Sequence, residues 1–403
     1  EGPVMAVLEK GSPRRESRSI IEWLNDERVR SVLYQAIVAI AVIAVARYLF
    51  VNTSENLQAR GMSSGFDFLS GTAGFSIAWS VLPYEAGDSY FRVYLVGIVN
   101  TLLISLVAIV CTTLLGFIMG IMRLSKNWLI SKIAAWYVEI LRNTPLLLQI
   151  LFWFLAVFSL LPPPRGSYGL LDMFFLNNRG LYMPAPVPGD GFDITMIAIL
   201  LAIAATYATA VWAKKRQMAT GQQFPTFWVG LGILFGLPLV VFVATGSPLT
   251  FDFAARKGFN FQGGVSVPPA FCALLLALVI YHSAYMAEAV RAGILSVSHG
   301  QTEAAYSLGL RPGMTLRLVI IPQAMRAVVP PMISNWMNVV KNSSLAIAIG
   351  YPDLVAVYMQ TSLNQSGHAI EIVAMVMLFY MSVSLTISMA LNYYNKLVQL
   401  KER

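Results

Sequence analysis

A lysine stands deep in an apolar stretch among amides and hydroxyls: Asn335, Asn338, Lys341, Asn342, Ser343 and Ser344 interrupt the run from about 323 to 349. An ammonium group in such company attracts a carboxylate. An ionisable side chain within a membrane usually pairs, reaches for the interface or lines a pathway, because facing lipid alone is costly. The competing reading is a polar helix contact, for which single interactions average only about 0.6 kcal/mol. Two acid–base pairs also have the spacing of one helical turn, Glu139 with Arg142 and Glu288 with Arg291, each with the acid first. Glu139 and Arg142 fit a local pair or a gate equally well, whereas Glu288 and Arg291 fit a structural pair better. Arg47, Arg326 and Glu371 are the other ionisable residues in or beside apolar runs.

Other chemistry is missing from the pattern. His282, His299 and His368 have no ligand spacing, and Cys111 and Cys272 sit alone in apolar runs, so no metal site, disulfide framework or catalytic set is expected. The chain lacks a GxxxxGK[ST] phosphate loop and so has no ATPase site of that kind. A net charge of +8 does not point to nucleic acid, because the charges lie between apolar blocks.

The elements that must carry these residues are membrane helices. The chain is 57% hydrophobic and 12% charged, against about 25% charged in soluble domains. Its apolar residues gather in blocks of the length that crosses roughly 30 Å of hydrocarbon. Eight spans are expected, at about 31–51, 93–122, 133–160, 192–213, 226–246, 268–290, 323–349 and 369–391. Lys and Arg number 18 in one set of connections and 6 in the other, which places both termini in the cytoplasm. The polar first 30 residues form a cytoplasmic segment with no cleavable signal peptide. Outer connections 52–92 and 161–191 are rich in Gly, Pro and aromatic residues and suit ordered caps. Gly116 with Gly120, and Gly232 with Gly236, have the small-xxx-small spacing that lets helices approach closely.

The longest cytoplasmic connection between spans, 291–322, predicts a helix-turn-helix elbow. Ser298 is a candidate cap, Gly309 a stop, Pro312 the start of a second helix and Pro322 the entry to span seven. A three-turn helix is marginal alone, so a ridge of Ala304, Ala305 and Leu308 needs a surface. A partner protein and the chain's own span ends both remain open.

The order Glu303, Ala304, Ala305, Gly309, Ile320, Pro322, with Gly300 and Gln301 just before it, resembles the EAA loop of ATP-binding-cassette importer permeases. The flanking stretches AYMAEAVRAGILSVSHGQTEAA, YVEILRNTPLLLQ and VVKNSSLAIAIG are similar to the polar-amino-acid permeases in particular. That resemblance implies an all-α type I importer permease of about eight transmembrane helices in the bacterial inner membrane. It implies no cofactor in this chain, with ATP and Mg2+ on a partner ATPase dimer whose cleft holds the elbow as a coupling helix. A second permease, related or a second copy, and a periplasmic substrate-binding protein complete the implied complex. The cargo would be polar L-amino acids, such as glutamate, glutamine, aspartate and asparagine, or a broad range. Many such permeases have five spans. Span one with the loop to residue 92, and the pair at about 192–246 within the domain 93–403, are similar to the additions of enlarged general or acidic amino-acid systems. An ion-coupled secondary transporter is the alternative, but it needs paired interrupted helices, and the sequence shows no such pair.

Overall fold

The computed structural model describes residues 27–59 and 65–398; most of the expected N-terminal segment lies outside the described residues. Seven helices are long and apolar enough to cross a membrane, and a bent pair makes an eighth. The chain through Phe66, with Ser366–Glu371, forms one unit and the remainder a second. In the first, α1 (Glu27–Ala59) is one continuous helix, and the Gly65 N–H donates to the Glu371 carboxylate at 2.6 Å.

The second unit contains α2 (Tyr90–Arg123), α3 (Trp128–Asn143), α4 (Leu146–Leu160), α5 (Phe192–Thr220), α6 (Thr226–Ala244), α7 (Pro269–Leu295), α8 (His299–Ser307) and α9 (Pro312–Ile349). It also holds most of α10 (Ala369–Val398). Ser89 caps α2 by accepting from the Arg92 N–H, and Asn127 caps α3 by accepting from Leu129 and Ile130, which satisfies donors that a helix start leaves free. Helix α7 is central: 67% of its apolar stretch is buried, against 6% in α6. Its main contact is with α2, and glycine allows it. A Cβ at Gly116 would stand 2.4 Å from the Met286 side chain, and one at Gly120 would stand 2.8 Å from the Ala287 carbonyl. The other spaced pair behaves differently. Gly232 and Gly236 have no neighbour within 4 Å of such a Cβ and fall in a π-helical turn.

Two of the expected spans are irregular, one broken in its middle and one tightened near its end. Between α3 and α4 the chain bends by 103°. Pro145 disfavours helical geometry at Thr144, which is extended at ψ 125. The Gln149 amide donates to the Leu141 and Thr144 carbonyls, both at 3.1 Å, so carbonyls at the break are satisfied. Helix α9 tightens to 3-10 over Ser343–Ile349, ends at Gly350, and the chain resumes as a π-helix over Val355–Ser362. In the other direction, the elbow's second helix and span seven are one run from Pro312, so Pro322 does not mark an entry break. It sits at the start of an α segment directly after the π turn Leu316–Ile320.

Strands, absent from the all-helical expectation, build the cap at the other end. They are β1 (Tyr168–Leu170), β2 (Phe174–Asn177), β3 (Gly180–Met183), β4 (Ala185–Pro188), β5 (Leu249–Asp252), β6 (Ala255–Lys257), β7 (Asn260–Gln262) and β8 (Val265–Val267). The main sheet runs β1-β2-β3-β8, with Leu181 opposite Val267; β4 pairs with β5 and β6 with β7. Phe175 and Tyr182 each lie 4.8 Å from the Phe261 ring. At three or four residues apiece, the strands are too short to display a readable alternation.

Candidate coupling elbow and polar cavities

The elbow helix α8 starts at Ser298, which is extended but makes no side-chain cap bond; its carbonyl instead accepts from the Gln301 N–H at 3.0 Å. It stops as the sequence predicts. Gly309 has φ +78, its N–H donates to the Tyr306 carbonyl at 2.9 Å, and the Leu310 N–H reaches the Ala305 carbonyl at 3.1 Å. These are the two bonds of a Schellman end, and they need a left-handed residue where glycine is least strained. The expected ridge divides. Ala305 is 4% exposed, on a helix that packs against the chain's own segments Pro312–Thr315 and Leu316–Ile320, whereas Ala304, Tyr306 and Leu308 are exposed, Leu308 at 81%. Gln323 donates to Gln301 at 3.1 Å, tying α8 to α9, and Glu303 pairs with His299 at 3.0 Å. Gly300 and Pro322 are exposed.

The polar run of α9 separates into two layers. Asn335 is buried, and its amide donates to the His282 carbonyl at 3.0 Å, which turns its oxygen toward His282 Nδ1 at 2.8 Å. That nitrogen therefore carries the hydrogen, and Nε2 accepts from Asn342 at 3.1 Å. Ser343 is also buried and donates to the Val340 carbonyl. These residues join helices, with their polar atoms engaged within the permease. Asn338 is exposed and lies outside the wall of the neighbouring cavity. Lys341 and Ser344 line a cavity of about 650 Å3 with Met359, Met377, Tyr380 and Met381. Lys341 has no ion-pair partner among the described residues. Asp353 lies fully buried beside the Tyr380 hydroxyl. One carboxylate oxygen accepts from the Ala356 N–H, and the Tyr380 hydroxyl lies among Asp353, Ser343 and Thr101. Asp353 lies outside the expected spans, where Gly350, Pro352 and Asp353 together form a stop-and-restart signal.

At the elbow end, Glu288 joins Arg291 at 2.6 Å, as its spacing suggests, and also Arg123 of α2, which the sequence reading did not connect with it. Glu139 and Arg142 do not pair. The Arg142 guanidinium lies 5.1 Å from the centre of the Tyr285 ring, and both residues border a cavity of about 350 Å3 with Arg123, Tyr285 and Glu288.

Residues 215–398 match the family model for the binding-protein-dependent transport system inner membrane component. Similarity extends well beyond that stretch. The putative amino-acid ABC transporter permease protein YhdX of Escherichia coli is 48% identical, over 93% of this chain and 95% of its own. The chain belongs to this permease family. The general L-amino acid transport system permease protein AapQ of Rhizobium johnstonii is 47% identical over 94% of this chain and 95% of its own. BztB of Rhodobacter capsulatus, a glutamate/glutamine/aspartate/asparagine transport system permease protein, is 40% identical over 94% of this chain and 96% of its own. The permease is thus one part of an ABC transporter whose ATPase is a separate partner and which works with a substrate-binding protein.

Within the permease, Glu288 balances two arginines whose side chains are 17% and 30% exposed. Glu288→Ala leaves both cations uncompensated, and removing one member of such a set costs about 2 kcal/mol or more. Thermal unfolding of the purified variant should show a midpoint lowered by about 5 °C. A midpoint equal to that of the unaltered permease would remove the stabilising role of the cluster.

Proposed function

We propose that this permease carries polar L-amino acids across the bacterial inner membrane by alternating access, with both termini and the elbow in the cytoplasm. The observation that carries the cargo assignment is Lys341, a cation without a counter-charge among the described residues, at the wall of a cavity of about 650 Å3. That volume lies within the range of small-molecule sites. The ammonium would hold the carboxylate that every amino acid has, with Ser344 and the Tyr380 hydroxyl as neighbouring polar groups. The relatives named for general L-amino acid transport and for glutamate, glutamine, aspartate and asparagine transport support the same class.

In this reading α8 seats in a cleft of the ATPase, where ATP and Mg2+ bind. Closure of the ATPase dimer moves the elbow, and the movement passes into α9, which carries Lys341 and is tied to α8 through Gln301 and Gln323. The strand cap faces the periplasm, where the substrate-binding protein delivers cargo, and a second permease, related or a second copy, completes the path. No bond is made or broken in the cargo. Lys341→Met keeps the length and removes the charge. Uptake by the reconstituted complex should fall at least tenfold, equivalent to about 1.4 kcal/mol, with the ATPase still bound. Undiminished uptake with the same amino-acid preference would show that the cavity plays no part in recognition.

A further inference from the structure

We infer that the cavity beside Glu139 and Arg142 is a second amino-acid station at the elbow end, through which cargo already delivered to the cytoplasm slows further import. The inference rests on the importer reading and concerns a different pair of side chains from the Lys341 cavity. Glu139 and Arg142 are both exposed and one turn apart on α3. At that spacing an acid and a base ordinarily meet. Among the described residues they form no ion pair, and the guanidinium instead lies over the Tyr285 ring, 5.1 Å from its centre. The neighbouring charges do not make up the difference, since Glu288 is already shared between Arg123 and Arg291.

The cavity therefore presents one unspent cation and one unspent anion. Its volume is about 350 Å3, and Arg142, Tyr285 and Glu288 also border an adjoining space of about 460 Å3 that reaches Gly293 and Pro331. A free amino acid is complementary to that arrangement, with its carboxylate on Arg142 and its ammonium on Glu139, and the adjoining space takes the side chain. The walls come from α2, α3, α7 and α9. Two of these, α7 and α9, flank the elbow in the chain and α9 carries Lys341, so a molecule lodged between them opposes rearrangement of the helices that the elbow moves. Occupancy rises with the cytoplasmic concentration of cargo, which makes the station a brake set by product.

The test uses the full complex, with the second permease and ATPase, in vesicles whose ATP-binding side faces outward and whose lumen holds binding protein loaded with L-glutamine. ATP hydrolysis is followed as L-glutamine is added outside, and in parallel as butyrate is added, which has the carboxylate without the ammonium. Hydrolysis should fall with external L-glutamine and not with butyrate. The concentration that halves each variant's own starting rate should rise at least tenfold in Glu139→Gln and in Arg142→Gln. An unaltered complex indifferent to external L-glutamine, variants inhibited at the original concentration, or equal inhibition by butyrate would each overturn the station. Failure of loaded binding protein to stimulate hydrolysis before any external addition would instead remove the importer reading, and this inference with it.

Discussion

Ala304→Trp is expected to remove at least nine-tenths of the ATP hydrolysis that loaded binding protein stimulates, in a permease that still folds. Ala304 and Leu308 lie one turn apart on the exposed side of α8, and a helix seated in a cleft tolerates added volume poorly. Overpacking costs about 1–3 kcal/mol, and about 1.4 kcal/mol already corresponds to a tenfold loss of productive association. Ala305→Trp has a different consequence, because that side chain is 4% exposed within the permease itself. It should lower the melting temperature of the isolated permease, whereas Ala304→Trp should not. Hydrolysis with and without loaded binding protein, a pull-down of the ATPase and melting of the isolated chain separate the two. If Ala304→Trp retained full stimulation and full ATPase binding, the exposed side of α8 would not be the docking side.

Gly116→Leu is expected to abolish recovery of folded permease. A Cβ there would already sit 2.4 Å from both the Cβ and Cγ of Met286, and one at Gly120, a turn further on, would sit 2.8 Å from Ala287 and Val290. Relief requires α2 and α7 to move apart, and α7 is the helix on which the unit is assembled. The cost should therefore exceed the roughly 1–3 kcal/mol typical of overpacking. Gly232→Leu is the matched control, since a Cβ at that position meets nothing within 4 Å. Size-exclusion chromatography of the solubilised variants reads the result: a single symmetric peak for Gly232→Leu, and aggregate or no protein for Gly116→Leu. A symmetric peak with unchanged melting for Gly116→Leu would mean that the close approach of α2 and α7 is not needed for folding.

The spans were legible because a membrane imposes both length and apolarity on a helix, and a single sequence carries both. Lys341 stood out for the same reason, as a charge where hydrocarbon excludes it. What escaped depended on residues distant in the chain. Arg123 and Glu288 are 165 positions apart, and nothing local links them. Glu139 and Arg142 had the spacing of a pair, but Tyr285 from another helix engages the guanidinium. On α8 the two alanines are adjacent and chemically alike, so only the following segment decides that Ala305 turns inward and Ala304 outward. The break at Thr144–Pro145 did leave a mark, a proline, but the apolar run around it concealed the change of direction; the stop at Gly350 falls where span seven was expected to end.

The register of β3 against β8 decides where a long stretch of the chain begins and ends. Met183 and Val265 stand opposite each other on neighbouring antiparallel strands, so the whole excursion through β4, α5, α6 and β7 leaves and returns at one point. Closing a long loop costs only slightly more than closing a short one, and these strands hold its two ends together. Such a segment resembles a graft with a sutured base. One tight turn between Met183 and Val265 would be enough to join β3 to β8 without the segment.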